Sequence, residues 1–387
     1  MKKIRKICVV TGSRAEYGLL YNLLKEFHKD KFFQLKIVAT NMHLSPEFGN
    51  TYKEIEKDFK IDKKVEILLS SDSSVGISKS MGLAQISFAE VYDNLQPDMV
   101  IVLGDRYEIF SAAICAMISQ IPIIHLHGGE LTLGAQDDVI RHSITKMSHL
   151  HFAATNEYKK RIIQLGENPK NVFNTGALGI ENIKKIKFLS KKEFEKSINF
   201  KLEKKNILVT FHPTTLETNN VIDFKELLIV LEKLKDTNII FTKANSDVGG
   251  RKINLMIDKY VKKNSKNSKA FISLGQLKYL SALKHVDAIV GNSSSGLLEA
   301  PSFKIGTINI GNRQKGRIKA ASVIDCKPKR KLLINAFNKL YSEKFQKSLR
   351  HVKNPHDNGN SSKKIVRIIK KINLDDIIKK NFFDIKF

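Results

Sequence analysis

Twenty residues, "IIHLHGGELTLGAQDDVIRH" (123–142), carry three His, one Glu, two adjacent Asp and a glycine pair. Side chains of these types can build a metal cage, a phosphate cradle or a set of proton-transfer carboxylates. His125 and His127 point to opposite faces if a strand runs on through them, so they cannot easily share one ion. The glycines instead allow a sharp turn out of the strand. That turn would aim Glu130, and the loop carrying Asp137 and Asp138, toward a substrate.

Five other loops carry similar signals. In "TGSRAEYG" (11–18), Gly12 permits a tight turn, the amides of the following helix start form an anion site, and Arg14 adds a bidentate partner. The full G-x-G-x-x-G pattern is missing, so a dinucleotide fingerprint is not supported. In "LGDRYE" (103–108), Asp105 is either a positioned base or a helix N-cap, and the adjacent Arg106 is redundant for capping. "TFHPTT" (210–215) sets His212 at a strand end. "GNSSSGLLEAPS" (291–302) offers Ser293 and Ser294 to a diphosphate at a helix start, with Glu299 two helical turns on for the hydroxyls of a ribose. "NIGNRQKGR" (309–317) adds Arg313 as a further cation.

The elements that must position these loops alternate along the chain. Short apolar runs such as "KICVVTG", "FQLKIVAT", "DMVIVLGD" and "IPIIHLHG" are separated by helix-period stretches. Continuous apolar strands joined by helices predict a parallel sheet covered on both faces. In such sheets ligands bind beyond the carboxyl ends of the strands, where all six loops fall. The alternation pauses in a charge-dense run, 184–206, and then resumes. The expectation is two doubly wound α/β domains: residues 1–183, a hinge at 184–206, residues 207–365, and a C-terminal helical tail at 366–387 crossing back to the first domain.

The chain has 387 residues, three widely spaced cysteines and a formal net charge of +27. The cysteines form no C-x-x-C pair, which argues against a disulfide framework or a structural zinc. The lysines are spread along helical stretches, with no arginine-rich arm, zinc-finger spacing or aromatic RNA-binding signature, so no nucleic-acid partner is expected. The apolar runs are too short for a signal peptide or a membrane span, which leads to a cytoplasmic expectation.

In this order, "TGSRAEYG", "GDRYEIFS", "HLHGGELTLGAQDDVIRHSITKMSHLHF", "RIIQLGENPKNVFNTGALG", "FHP", "GNSSSGLLEAPS" and "INIGNRQKGR" resemble the hydrolysing branch of the UDP-N-acetylglucosamine 2-epimerase family. The resemblance spans nearly the whole chain. It implies two Rossmann-like domains in a glycosyltransferase-B-like arrangement with a cleft between them, and an enzyme that takes a UDP-sugar and water to UDP and a free 2-epimerised sugar. The implied chemistry is anti elimination to a glycal followed by hydration, with no metal or other cofactor, in a homo-oligomer (dimer or tetramer). It places Asp105, Glu130, Asp137 or its neighbour Asp138, and His212 in catalytic roles. Arg14, Arg106, Ser293, Ser294, Glu299 and Arg313 would bind UDP. Some members carry a carboxylate just ahead of the glycine pair where this chain has His127, so the C2 proton falls to either Glu130 or His127.

The stretches "HLSPEFGNTYKEIE", "SVGISKSMGLA" and "LTLGAQDD" are similar to the subgroup acting on UDP-N,N'-diacetylbacillosamine for legionaminic acid. The subgroup converting UDP-N-acetylglucosamine to N-acetylmannosamine for sialic acid is very close, and a few pocket residues separate them. UDP and GDP both remain open. A glycosyltransferase of the same fold is the rival enzyme, and a basic nucleic-acid-binding protein the remote one.

Overall fold

A computed structural model of the chain describes residues 4–69, 71, 73–133, 135–214, 219–245 and 249–386. Residues 1–3, Gly134 of "LTLGAQDD" and Thr215 of "TFHPTT" are among those outside the described residues. The chain divides into two compact units. The first runs to Glu130, resumes over Asp137–Asn182 and takes the chain from His356 onward; the second comprises Leu131–Gln136 and Ile183–Pro355.

The first unit is built on seven parallel strands: β1 (Arg5–Thr11), β2 (Phe33–Thr40), β3 (Lys63–Val65), β4 (Met99–Leu103), β5 (Ile123–Leu126), β6 (Leu150–Ala153) and β7 (Val172–Asn174). They lie in the order β3-β2-β1-β4-β5-β6-β7. Alternate residues of β1 explain why both faces must be covered. Ile7 and Val9 pack with Leu20, Leu23, Leu24 and Phe27 of the helix Arg14–Lys29. Cys8 and Val10 pack on the other side with Phe88 and Tyr92 of the helix Ser74–Leu95 and Ala112 of the helix Tyr107–Ile118.

The second unit has six parallel strands: β8 (Lys205–Thr210), β9 (Thr237–Thr242), β10 (Ser268–Phe271), β11 (Ala288–Gly291), β12 (Gly306–Ile310) and β13 (Val323–Cys326), in the order β10-β9-β8-β11-β12-β13. In both sheets the order reverses at one place, between β1 and β4 and between β8 and β11. Such a switch point opens a crevice at the carboxyl ends of the two central strands.

The observed elements add detail to the expected organisation. The run 184–206, expected as a hinge, contains the helix Lys191–Ile198, opened by a Ser190–Glu193 capping box, and is counted with the second unit. Phe194 and Ile198 are four residues apart, form one apolar stripe and are both buried, which the surrounding charge obscures. The helix of the tail, Ser361–Lys371, starts before the expected 366 and ends well before 387, and no further helix follows it among the described residues. That helix buries Ile365, Val366 and Ile369 in the core of the first unit, and the chain rejoins this unit at His356, well before residue 366. The short strands β3, β7 and β13 were not expected either. Among the described residues, no helix is long and apolar enough to cross a membrane.

Candidate active site

In the first unit, the loops after β1, β4 and β5 bring together the residues singled out from sequence. Asp105 follows the turn at Gly104 and does not cap the next helix: the cap position is Arg106, with no side-chain capping bond. The Asp105 carboxylate instead pairs with Arg141, on the helix Gln136–Met147. Arg141 is 2% exposed. Its Nη1 also donates to the Glu130 carbonyl at 2.9 Å and lies 3.8 Å from the Asp138 carboxylate. One buried guanidinium therefore gathers Asp105, Glu130 and Asp138. Asp137 sits beside them in the first turn of the same helix, where the helix N-terminus favours negative charge. Sequence reasoning missed Arg141. Its signal was position: four residues after Asp137, one helical turn on the same face.

The glycine pair behaves as the turn it was read to be, with one difference. β5 ends at Leu126, and His127 already adopts a left-handed conformation, φ +62°. The two histidine rings therefore diverge because the strand stops, not because it continues. His125 is fully buried, donates from Nε2 to the Gly104 carbonyl at 2.8 Å, and lies 3.1 Å from Thr145 Oγ1. Burial holds it down to about 3, so it is neutral and ties β5 to the β4 turn. Gly129, φ +76°, must be glycine: a methyl there would run into the Tyr158 carbonyl.

His127 has both ring nitrogens engaged. The Leu178 amide donates to Nε2 at 3.4 Å, which leaves the ring proton on Nδ1, 3.1 Å from Glu130 Oε1. The imidazole therefore donates to the carboxylate and fixes its orientation. Both side chains are buried. Arg14 lies 3.5 Å from Glu54, and Arg106 2.6 Å from Glu108.

In the second unit, Asn292 organises the loops after β8, β11 and β12. Its side chain accepts from the His212 amide and donates to the His212 carbonyl, both at 2.7 Å. Its own carbonyl accepts from Arg313 Nη1 at 3.2 Å and from the buried Gln314 Nε2 at 2.8 Å. Asn292 was also missed, although it stands inside "GNSSSG" at the end of a strand. The serines stand at a helix start, and the helix is short. Ser294 opens a helix of four residues, Ser295–Leu298, and Ser293 Oγ accepts from the Ser295 amide at 3.4 Å. Glu299 is not two turns along a helix. It ends this short one, because Pro301 lacks an amide proton and its ring disfavours helical geometry before it. In the same unit, Arg317 donates to the Leu131 carbonyl at 2.6 Å and to Thr132 Oγ1 at 2.9 Å.

The family model for UDP-N-acetylglucosamine 2-epimerase matches residues 25–370. The chain belongs to the UDP-N-acetylglucosamine 2-epimerase family. This family member is 51% identical to the hydrolysing GDP/UDP-N,N'-diacetylbacillosamine 2-epimerase of Campylobacter jejuni, over 98% of its own length and 99% of the relative's. It is 44% identical to the polysialic acid biosynthesis protein P7 of Escherichia coli, over 99% and 98% of the two chains. Among solved structures, the UDP-GlcNAc 2-epimerase of Neisseria meningitidis bound to UDP-GlcNAc matches with a TM-score of 0.80 at 20% identity, covering 95% of this chain and 100% of that one. That likeness is one of fold, and with the two parallel sheets it gives the epimerase its glycosyltransferase-B-like architecture.

The Asn292 hub makes a prediction for this epimerase. Asn292→Ala removes two reciprocal hydrogen bonds that join two buried strand ends. It should lower stability by about 2 kcal/mol and weaken UDP binding more than it lowers kcat. Thermal melts and calorimetric UDP titration check this; an unchanged Tm and UDP affinity would show that these two bonds do not support the loops.

Proposed function

We propose that this hydrolysing sugar-nucleotide 2-epimerase acts on UDP-N,N'-diacetylbacillosamine, releasing UDP and the free 2-epimerised sugar. The gathering of Asp105, Glu130 and Asp138 by the buried Arg141 carries the mechanistic reading. The identity to the Campylobacter jejuni relative supports the sugar. In the first half-reaction a base takes the C2 proton, the C1–O bond to UDP breaks, and a C1=C2 double bond forms. In the second, water adds at C1 and a proton is delivered to C2 on the opposite face. The sum is UDP-sugar plus water to UDP plus the epimer. The C2 proton has no neighbouring carbonyl to acidify it, so the barrier must be met by closely held groups.

The reading assigns proton transfer to Glu130 and Asp105, with Asp137 or Asp138 and His212 assisting. His127 holds Glu130 in place. A His127 that already donates to Glu130 and accepts from Leu178 would have to give up a bond before it took a proton, whereas the Glu130 carboxylate is oriented to receive one. The reading also assigns nucleotide binding to Arg14, Arg106, Ser293, Ser294 and Arg313, whose hydrogen-bond donors suit the charge that develops on the leaving diphosphate, and to Glu299, whose carboxylate would accept from the ribose hydroxyls.

Mass spectrometry of products from a panel of UDP- and GDP-sugars, without any acceptor, tests the proposal. Free 2-epimer carrying one solvent deuteron at C2 in heavy water is expected, fastest from the bacillosamine nucleotide. No release without an acceptor would point to a glycosyltransferase instead. Glu130→Gln should lose roughly 10²–10⁴-fold in kcat and His127→Gln only about tenfold. The reverse order would make His127 the proton carrier.

A further inference from the structure

Two carboxyl groups lie buried beneath the first two strand-end loops, and the chemistry above uses neither. Glu108, in the first turn of the helix Tyr107–Ile118, is fully buried, with Oε1 2.6 Å from Arg106 Nε. Glu16, in the first turn of the helix Arg14–Lys29, is 6% exposed, and its Oε2 accepts from the Gly12 and Ser13 amides at 2.7 and 3.2 Å. Both pack around Gly12, whose amide donates to Glu16 and whose missing side chain leaves room for Glu108. A methyl there would run into the Glu108 carboxyl, so only glycine admits Glu108 beneath the β1 turn.

Each carboxyl has one oxygen, Glu16 Oε1 and Glu108 Oε2, with no hydrogen-bond partner among the described residues. Buried acceptors are seldom left so. Arg106 is the cation that donates to Glu108, and among the described residues no other cation is seen bonded to either carboxyl, so a second buried carboxylate beside this pair would be poorly compensated. A proton on Glu16 answers both difficulties, turning one orphan acceptor into a donor for the other. Burial, then Glu108, push the Glu16 carboxyl up to about 8, against the smaller pull of Arg106 and the Gly12 and Ser13 amides. Nearby, His43 lies 3.1 Å from Thr11 Oγ1 and burial holds it down to about 3, so it brings no charge; Arg14 is engaged by Glu54.

We propose that Glu16 is protonated in the folded chain at neutral pH and donates to Glu108, and that Glu108 is the positioning residue that holds the Arg106 guanidinium for the leaving diphosphate. The second half of this rests on the role given to Arg106 above. Because the folded carboxyl titrates above its ordinary 4.5, its contribution to stability is complete below that value and is lost as pH rises through about 8.

Infrared spectroscopy of the whole enzyme tests the proton directly. The wild type at neutral pH should show the C=O stretch of one buried protonated carboxyl that titrates near pH 8 and is missing in Glu16→Gln. The alkaline loss of Tm around that pH should vanish in the same variant. Glu108→Gln should raise KM for the sugar nucleotide and the inhibition constant of UDP together by roughly tenfold or more. A merely structural role would lower kcat through loss of active protein and leave KM alone. Absence of the carboxyl band, or its survival in Glu16→Gln, overturns the shared proton; an unchanged KM in Glu108→Gln overturns the positioning role. Failure of the wild type to release UDP would instead overturn the functional reading and leave the infrared result standing.

Discussion

Asp105→Asn should lose roughly 10²–10⁴-fold in turnover while UDP still binds. The substitution keeps the shape of the side chain and removes its charge. Asp105 stands at the carboxyl end of β4, in the turn that His125 braces through Gly104, so the backbone that presents it does not depend on the carboxylate. The amide cannot act as a base, and it turns a buried ion pair with Arg141 into a charge–dipole contact. Release of UDP from the sugar nucleotide, deuterium uptake at C2 and calorimetric UDP titration are the measurements. Lost UDP binding in a well-folded variant would count against a catalytic role for Asp105.

Arg141→Ala should be the most damaging change to the first unit outside its apolar core. It leaves Asp105 without its cation and frees the Glu130 carbonyl, so both carboxylates lose their alignment. Breaking a buried pair costs 3–5 kcal/mol, and the Asp105 side chain is 19% exposed, so the lower end, about 3 kcal/mol, applies. At about 2–4 °C per kcal/mol for a domain of this size, Tm should fall by roughly 6–12 °C, with kcat down by at least the factor expected for Asp105→Asn. Arg141→Lys should recover part of the stability and little of the turnover, because one ammonium cannot reproduce the guanidinium fork that reaches both Asp105 and the Glu130 carbonyl. A Tm within a degree or two of wild type in Arg141→Ala would show that the pair does not organise the site.

Much of the fold was legible because its signal is local. The strands β1, β4, β5, β8 and β11 are apolar on both faces, and their following loops carry Gly, Asp, Arg, His and Ser in short runs. The elements that escaped notice had weak local signals. β3 is "KKV", two exposed charges and one buried residue at a sheet edge, and a three-residue strand leaves no period to read. The helix at 191–198 hid its two-residue stripe among lysines. The break at Glu299 was written in Pro301 and went unread because the serines before it looked like a helix start.

By itself the sequence determined the strand and helix alternation, the turn at Gly128 and Gly129, and the placing of Asp105, Glu130, His212 and Ser293 directly after strands. Chain connectivity and side-chain period suffice for those. Which side chains then meet was decided only by tertiary structure. β1 lies beside β4 because the strand order reverses there, and that adjacency carries Glu108 beneath Gly12, the residue whose amide donates to Glu16. Arg141 reaches Asp105 only because the helix after β5 packs over the end of β4. His127 donates to Glu130 only because β5 stops one residue short and throws the ring into a left-handed turn. Periodicity is a property of neighbours along the chain, whereas a charge pair depends on the order in which strands are laid side by side.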